Sequence, residues 1–232
     1  MSETLVEYDL AELVPDPQRH LCQDSVLVAS PKVISRIAVS LSPAPGLRKN
    51  YRIEVSQSDF RGKLRFSLGP GRGKVQIHSR GPLNLDVRMW RNSSLSIGNG
   101  TTINKAKIVC DNADIFVGED GLWSGDILVQ SNDQHGIIDL NTMAVINSGR
   151  RSVQIEDHVW VGRQTIVMPD VRIGKGSILA AGAILTTNMP ENSIFAGVPA
   201  RKVRGEATWS RAPAGLSDSE FDLLGIEGGK SK

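Results

Sequence analysis

A six-residue period in the second half of the chain constrains the fold more than any other feature. From residue 155 onward an aliphatic residue stands at every sixth position: Ile155, Val161, Val167, Ile173, Leu179 and Leu185. About a quarter of the chain is Ile, Leu or Val, so six matches in a row have a chance of roughly 1 in 4,000. A helix would repeat near 3.6 residues and a simple strand at 2. Neither element alone explains this region.

A period of six fits a short strand followed by a corner, repeated three times per coil. The chain would then return above itself after about 18 residues, at the strand spacing of about 4.8 Å. The aliphatic residue of each repeat points into a prism, and the fourth residue after it lies near a corner that admits small side chains. A weaker copy, with a slip of two residues in its middle, is Ile97, Ile103, Val109, Val117, Trp123 and Val129. We therefore predict an all-β parallel solenoid.

The composition agrees with a narrow prism and excludes several classes of protein. Aromatic residues make up only 5% of the 232 residues and glycines number 23, which leaves little material for a wide core. A formal charge of +2 argues against a general nucleic-acid binder. No stretch is apolar enough to span a membrane and the start lacks a secretory signal, so we expect a cytoplasmic protein. Two cysteines are too few for a disulfide framework or a cysteine-based zinc site.

Three segments of the repeat carry a resemblance to a known family. They are IEDHVWVG at 155–162, IGKGSI at 173–178 and AGVPAR at 196–201. The chain resembles the hexapeptide-repeat acyltransferases over about residues 95–211, most of all their galactoside, maltose and polysaccharide O-acetyltransferase branch. The resemblance implies a left-handed parallel β-helix, a homotrimer and acetyl-CoA as acyl donor, with no metal. The left hand comes from the resemblance alone, because crossover connections are right-handed in about 98% of cases.

The regions outside the repeat predict a chain of three parts. Residues 1–60 show no sustained period and contain five prolines, so we expect an irregular N-terminal segment with a few strands. Residues 61–211 are predicted to form the β-helix, with irregular first coils and an inserted loop at 131–151. In residues 212–232, Ser217 and Glu220 have the spacing of a capping box, which predicts a short C-terminal helix and then a frayed tail from Gly228.

The inserted loop holds the candidate general base. Its sequence DQHGI at 133–137 matches the Asp-x-His-x-Ile pattern, in which the family's histidine removes the proton of the acceptor hydroxyl. A histidine, with a pKa near 6.5, suits that step at neutral pH, which makes His135 the expected base. Asp133 or Asp139 would orient its imidazole; the alternative for each is a carboxylate that caps the loop backbone.

The resemblance also assigns the coenzyme side of the site. The backbone N–H of Arg163 would stabilise the oxyanion of the tetrahedral intermediate, and Trp160 would line the cleft beside the pantetheine arm. The alternative for Trp160 is a tryptophan that packs on an adjacent subunit. The family commonly has a small residue where Arg163 stands, so its long side chain is a departure. The other expected contacts with acetyl-CoA are Gly162, Ala181, Thr186, Arg201, Lys202 and Arg204. For the last three, a solvated basic stretch is the alternative.

Four residues are candidates for binding the acceptor: Asn132, Asp133, Asn147 and Trp123, which would reach towards His135. Asn147 has a plain turn residue as its alternative. Residues 61–91 hold eight basic residues against one acid, which predicts either a surface for an acidic glycan or a solvated face. Among the other histidines, His158 is expected at an exposed corner, and His20 and His78 have no motif around them.

Together these features predict an acetyl-CoA-dependent O-acetyltransferase that acts on a carbohydrate hydroxyl of a polysaccharide, glycan or nucleotide sugar. Direct transfer is expected because no cysteine or serine is paired with His135 in a nucleophile pattern. Three alternatives stay open: an N-acetyltransferase of an amino sugar or antibiotic, a zinc enzyme similar to the gamma-class carbonic anhydrases, and a β-helix scaffold without catalysis. The zinc enzyme needs three histidines, two of them close in sequence, whereas His78, His135 and His158 are widely spaced.

Overall fold

The computed structural model describes residues 4–57, 59–79 and 81–226. Within these ranges 19 strands form one sheet that winds around itself, with two α-helices and two 3₁₀ turns beside it. The strands are β1 (Val6–Asp9), β2 (Cys22–Gln23), β3 (Val26–Ala29), β4 (Ile37–Leu41), β5 (Arg48–Val55), β6 (Leu64–Ile77), β7 (Leu83–Ile97), β8 (Thr102–Asp111), β9 (Ala113–Val117), β10 (Leu122–Trp123), β11 (Ile127–Gln130), β12 (Arg151–Ile155), β13 (Trp160–Val161), β14 (Ile166–Val167), β15 (Arg172–Ile173), β16 (Ile178–Leu179), β17 (Ile184–Leu185), β18 (Ile194–Ala196) and β19 (Arg201–Arg204). The helices are α1 (Leu10–Leu13) and α2 (Asp218–Leu224), and the 3₁₀ turns are Arg19–Leu21 and Ile34–Arg36.

Three stacks of parallel strands make the faces of a prism. Face A consists of the start of β8 followed by β10, β13, β16 and β18. Face B consists of β4, the first halves of β6 and β7, then β8, β11, β14 and β17. Face C consists of β3, β5, the second halves of β6 and β7, then β9, β12 and β15. The chain visits A, B and C in turn, so each coil stacks on the one before it.

The side chains of the six-residue period fill the prism, as the sequence predicts. All six aliphatic residues from Ile155 to Leu185 are fully buried, and the six of the weaker copy are at most 6% exposed. The residues four positions later, from Val159 to Met189, are buried as well. Burying one such aliphatic side chain stabilises a fold by roughly 1.5–3 kcal/mol, so the stacked interior is the main source of stability here.

Coil length differs between the two halves of the prism. In the upper half Trp160 lies beside Ile178, an advance of 18 residues, whereas in the lower half Leu64 lies beside Leu85, an advance of 21. The longer strands β6 and β7 turn the corner between faces B and C at Gly71 and Arg91, both with positive φ. A Cβ on Gly71 would lie 2.5 Å from the carbonyl oxygen of Arg91. The extra residues per coil explain why the period slips in the first half.

The parallel stack begins earlier than the expected boundary at residue 61. Strand β3 pairs in parallel with β5, and β5 with β6, so the region from β3 onward contributes coils of the prism rather than an irregular segment. All five prolines of residues 1–60 stand outside the strands, where they remove no ladder hydrogen bond. Only β1, which pairs antiparallel with β3, departs from the parallel pattern at this end.

The C-terminal helix is present with the predicted capping box. The Ser217 side chain accepts a hydrogen bond from the Glu220 backbone, the Glu220 side chain accepts one from the Ser217 backbone, and Gly225 ends the helix in the left-handed conformation. The expected tail from Gly228 lies outside the described residues. Within the described part of the chain, no helix has the length and apolar character needed to cross a membrane.

Candidate active site

The corners of the prism position most of the predicted site residues. Corner AB, between faces A and B, comprises residues 124–126, 162–165 and 180–183. Corner BC comprises residues 131–150, 168–171 and 186–188, and corner CA comprises residues 98–101, 118–121, 156–159, 174–177 and 190–193. The predicted insertion is the long segment of corner BC. We call residues 131–150 the inserted loop.

The Asn147 side chain connects the two sides of the inserted loop through hydrogen bonds. Its side-chain oxygen accepts a hydrogen bond from the Ile137 backbone at 2.8 Å, and its side-chain nitrogen donates one to the His135 carbonyl at 2.8 Å. Farther out, Ile138 and Val145 form an antiparallel bridge. Asn147, a predicted acceptor ligand, therefore has a clear structural role, since it holds the backbone of His135, the predicted general base, in place.

The His135 side chain stands exposed between two clefts of about 560 Å³ each. The first, which we call the corner cleft, is lined by residues of the loop together with Trp90, Arg91 and Asp111. The second, which we call the face-B cleft, is lined by residues 133–137 of the loop together with Arg88 and Lys107. Among the residues that the structure describes, none bonds to the imidazole ring. The ring is therefore open to a ligand in either cleft.

The two carboxylates proposed to orient His135 differ in their surroundings. Asp139 accepts hydrogen bonds from the backbone of Asn141 at 2.8 Å and of Thr142 at 3.0 Å. These N–H groups, Thr142 first, lower the pKa of the Asp139 carboxyl. Asp139 thus caps its own turn, which is the alternative considered for it. Asp133 is half-buried and lines both clefts together with His135.

Like Asn147, two further predicted acceptor ligands are buried. Asn132 is 1% exposed and donates a hydrogen bond to the Asp111 carbonyl at 3.1 Å, which ties the start of the inserted loop to the coil below. Trp123 is fully buried in the prism. The expectation that Trp123 reaches towards His135 and contacts the acceptor is wrong, because it occupies an inward position of the six-residue period.

Corner AB brings together three predicted coenzyme residues. The backbone of Gly162 bonds the Leu179 carbonyl at 2.8 Å, and a Cβ at this position would lie 2.5 Å from the Ala181 nitrogen, so the stacking of the corner requires glycine. Arg163 and Ala181 are exposed. Among the described residues nothing accepts a hydrogen bond from the Arg163 backbone N–H, which leaves that donor available to a ligand.

The other predicted coenzyme residues lie in two further places. Trp160 is 37% exposed on the outside of face A. Arg201, Lys202 and Arg204 are exposed on β19, which pairs antiparallel with β18 at the upper edge of the same face. Thr186 is exposed at corner BC, two coils above the inserted loop. The coenzyme residues are therefore divided among corner AB, face A and corner BC.

Within one chain, face B separates His135 from the Arg163 backbone. Strand β11 leads from corner AB to the inserted loop, and its four residues span roughly 13 Å at the usual rise per residue. General base and oxyanion donor must both lie about 3 Å from the reacting group. A single chain does not bring these two predicted groups together.

His158 is the residue whose environment differs most from the prediction. It is fully buried, its Nδ1 lies 2.7 Å from an Asp120 carboxylate oxygen and its Nε2 lies 2.8 Å from the Trp209 carbonyl. Its ring stacks on that of Trp209, with centroids 4.2 Å apart. The expectation of an exposed corner is wrong because the C-terminal segment covers this corner. A tryptophan within an otherwise polar stretch was the only sequence signal for that contact.

Asp120, His158 and Glu220 each place one potential metal ligand within 4.8 Å of the others. Their atoms already have partners: Arg211 donates to Asp120 at 2.7 Å, and the backbones of Ser217 and Arg211 donate to Glu220. The group is therefore a hydrogen-bonded ion network. In the described part of the chain it is the only group of three such ligands, so the histidines of the zinc alternative do not meet within one chain.

Residues 152–187 match the family described as bacterial transferase hexapeptide (six repeats), which confirms the predicted resemblance. The polySia-specific acetyltransferase NeuO has the same fold, with a TM-score of 0.68 and 23% identity over 88% of this chain and 92% of that one. The predicted left-handed parallel β-helix is thereby confirmed.

Two curated relatives share part of the sequence. The polysialic acid O-acetyltransferase of Escherichia coli is 30% identical over 138 residues, 59% of this chain and 45% of that protein. The galactoside O-acetyltransferase of Lactococcus lactis is 31% identical over 106 residues, 46% of this chain and 50% of that protein. The chain thus spans about half the length of the curated relatives it matches. Their names agree with the predicted class of enzyme, an acyltransferase.

Proposed function

We propose that the protein is an acetyl-CoA-dependent O-acetyltransferase of carbohydrates, with His135 as general base. The observation that carries the proposal is the position of His135: an exposed imidazole on a fastened loop, between two clefts, on the fold of the hexapeptide-repeat transferases. The names of the two curated relatives support acetyl transfer to oxygen.

In the proposed reaction the imidazole of His135 takes the proton of the acceptor hydroxyl as the hydroxyl oxygen attacks the thioester carbon. The negative charge that develops on the thioester oxygen is stabilised by the Arg163 backbone N–H. Collapse of the tetrahedral intermediate breaks the carbon–sulfur bond, and the leaving thiolate takes the proton back from the imidazolium. The products are the acetyl ester and coenzyme A.

The site is proposed to form between two copies of the chain. Because face B separates His135 from Arg163, one copy would supply corner BC and its neighbour would supply corner AB. In this arrangement Thr186 joins the His135 side, and Trp160, Gly162 and Ala181 join the other. The three-fold assembly implied by the resemblance would repeat this contact three times.

Apolar side chains on the outside of the prism support contact between copies. Faces A and B carry outward, partly exposed apolar residues: Leu122, Trp160, Ile178 and Ile194 on face A, and Leu128, Ile166 and Ile184 on face B. The matching positions of face C are Ser152, Gln154 and Arg172. The inserted loop adds Leu140, Met143 and Ile146, which are 82%, 71% and 61% exposed. An apolar patch of this kind marks a protein contact surface.

The face-B cleft supports an acidic acceptor. Arg88 and Lys107 line it beside His135, and among the described residues neither has a carboxylate partner. The guanidinium of Arg88 also lies 5.0 Å from the centre of the Trp90 ring, so the Arg88 side chain has a defined position. Such cations suit a carboxylated or phosphorylated sugar. The polysialic acid named for one relative is an acceptor of this kind.

The proposal is tested by His135→Ala, assayed with acetyl-CoA and a panel of neutral, acidic and amino sugars. We expect kcat to fall about a hundredfold or more, while the affinity for acetyl-CoA stays nearly unchanged. Full turnover by the variant would contradict the assignment of the base. A preference for the amino version of one sugar over its hydroxy version would instead favour N-acetyl transfer.

The contact between copies is tested by mixing two inactive variants. His135→Ala removes the base from corner BC, and Ala181→Trp fills corner AB. If each site draws on two copies, random mixed trimers should recover roughly a quarter of the wild-type activity. A site contained within one chain would recover none. Each variant mixed with itself serves as the control.

A further inference from the structure

The C-terminal residues 207–211 run along corner CA and cross the coils of the prism; we call them the C-terminal strap. The strap bonds one coil after another in descending order. The bonds join Ala207 to the Asn192 carbonyl, Thr208 to the Gly176 carbonyl, the Trp209 indole to the His158 carbonyl, and Arg211 to the Asp120 carboxylate and the Gly100 carbonyl. The strap thus reaches five successive levels of one corner, roughly 19 Å of stacking.

The hydrogen bonds of His158 fix the orientation of its ring. Nε2 faces the Trp209 carbonyl, which can only accept, so Nε2 donates. Nδ1 lies against the Asp120 carboxylate. Burial raises the pKa of that carboxyl, but the bonds from His158 and Arg211 outweigh burial and lower it. The charged groups around the imidazole are Asp120, Arg211 and Glu220.

The Trp209 ring connects His158 to the coenzyme side of the proposed site. One face of the indole stacks on the imidazole, nearly parallel at 8°. The indole also contacts Trp160, with ring centroids 6.3 Å apart and planes tilted by 55°. Trp209 is 6% exposed, whereas Trp160 is 37% exposed on face A. The buried ring of the strap therefore supports the exposed ring predicted to line the coenzyme cleft.

We propose that His158 and Trp209 are positioning residues for coenzyme binding, with the hydrogen-bonded imidazole holding the indole against Trp160. The proposal rests on the proposed function, because it takes Trp160 as a wall of the acetyl-CoA cleft. The rings of His158 and Trp209 do not touch the reacting atoms. They set the orientation of a side chain that does contact the coenzyme.

The experiment compares Trp209→Leu with Thr208→Val, which removes a neighbouring strap bond but touches none of the three rings. We expect Trp209→Leu to raise KM for acetyl-CoA roughly three- to tenfold while kcat at saturation stays within about twofold, since an aromatic contact of this size is lost. Thr208→Val should leave both constants near the wild-type values. An equal rise in KM for Thr208→Val would overturn the proposal in favour of general loosening of the strap.

A double-mutant cycle with Trp160→Leu tests the path of the effect. If Trp209 acts through Trp160, then Trp209→Leu has no further effect on KM in the Trp160→Leu background. Independent effects of the two substitutions on KM would show that Trp209 does not act through Trp160.

Nuclear magnetic resonance of the wild-type protein is a second test that needs no variant. The Trp209 ring should show nuclear Overhauser contacts to the rings of His158 and Trp160, and their absence would contradict the stacked arrangement. Failure of the proposed function is distinguishable from all of these results, because the wild-type protein would then not bind acetyl-CoA at all.

Discussion

His135 and His158 lie at neighbouring corners of the prism and have opposite surroundings. His135 is exposed on the inserted loop, and among the described residues its ring has no bonding partner. His158 is fully buried, with both nitrogens and one ring face engaged. The difference arises from what lies over each corner. The inserted loop carries His135 away from the prism into solvent. The C-terminal strap crosses corner CA and buries His158, which would otherwise be exposed there.

The largest expected effect is a difference in stability between variants of the two histidines. His158→Ala removes a buried ring with two hydrogen bonds and a stacking contact, and we expect it to lower the free energy of unfolding by about 2–4 kcal/mol. His135→Ala should leave it within about 0.5 kcal/mol, because an exposed side chain without partners contributes little. Denaturant unfolding of both variants measures the contrast. A similar loss in both would refute the distinction between the two corners.

The second prediction concerns acid release of the strap. Burial raises the pKa of the Glu220 carboxyl, but donors from Ser217, Arg211 and Ser210 outweigh burial and lower it to about 2. Since the folded pKa lies below the ordinary value, Glu220 stabilises the strap above about pH 4.5, and that stabilisation is lost as pH falls from about 4.5 towards 2.

The loss amounts to at most about 3 kcal/mol for a shift of this size. Hydrogen exchange of the strap amides, measured in steps from pH 6 to 3, follows the release. Glu220→Gln should remove most of this dependence on pH. An unchanged acid profile in that variant would assign the effect to Asp120 or another carboxylate.

The third prediction compares the effects on kcat of two carboxylates of the inserted loop, Asp133 and Asp139. Asp133→Asn should lower kcat about tenfold, because Asp133 shares both clefts with His135. Asp139→Asn should change kcat less than twofold, because the carboxylate is occupied by the backbone of its own turn. Steady-state rates at saturating acetyl-CoA decide between the two, and a larger effect at Asp139 would reverse their roles.

The smallest predicted effect concerns the charge of the face-B cleft. Arg88→Gln or Lys107→Gln should raise KM for an acidic acceptor roughly three- to fivefold, and less at high salt, because partly exposed charges are screened. Lys74→Gln is the matched control, since Lys74 belongs to the same basic stretch but points outward from face C. A uniform effect of all three substitutions would mean that the basic residues form only a solvated face.

The upper coils could be predicted from the sequence because each one contacts only its neighbours at a fixed spacing. Leu179, for example, meets Val161 below it and Phe195 above it, so a local period specifies the packing. The lower coils were harder to predict, since longer and unequal turns hide the same inward pattern. Residues 22–57 have no constant period, although they stack in the same way.

The site was predicted where a motif is local and missed where a contact is distant. The pattern around His135 lies within one loop, and the structure places that loop beside two clefts. His158 bonds a residue 51 positions away, which no local pattern encodes. Trp123 stands at an inward position of the six-residue period, and that position buries it in the prism although its aromatic ring is of a type that often binds sugars. Asp139 has the backbone partners of a capping residue, an outcome that the sequence left open.

The strap also changes how this molecule is expected to unfold. A solenoid couples only adjacent coils, so it can fray from either end one coil at a time. Here Arg211 bonds the carbonyls of Gly100 and Gly121, residues 111 and 90 positions earlier in the chain. The last coils therefore cannot loosen without breaking contacts made far below them. Because the strap connects coils that are distant in the stack, we expect these coils to unfold together. This coupling can form only after the residues of the strap have been synthesised.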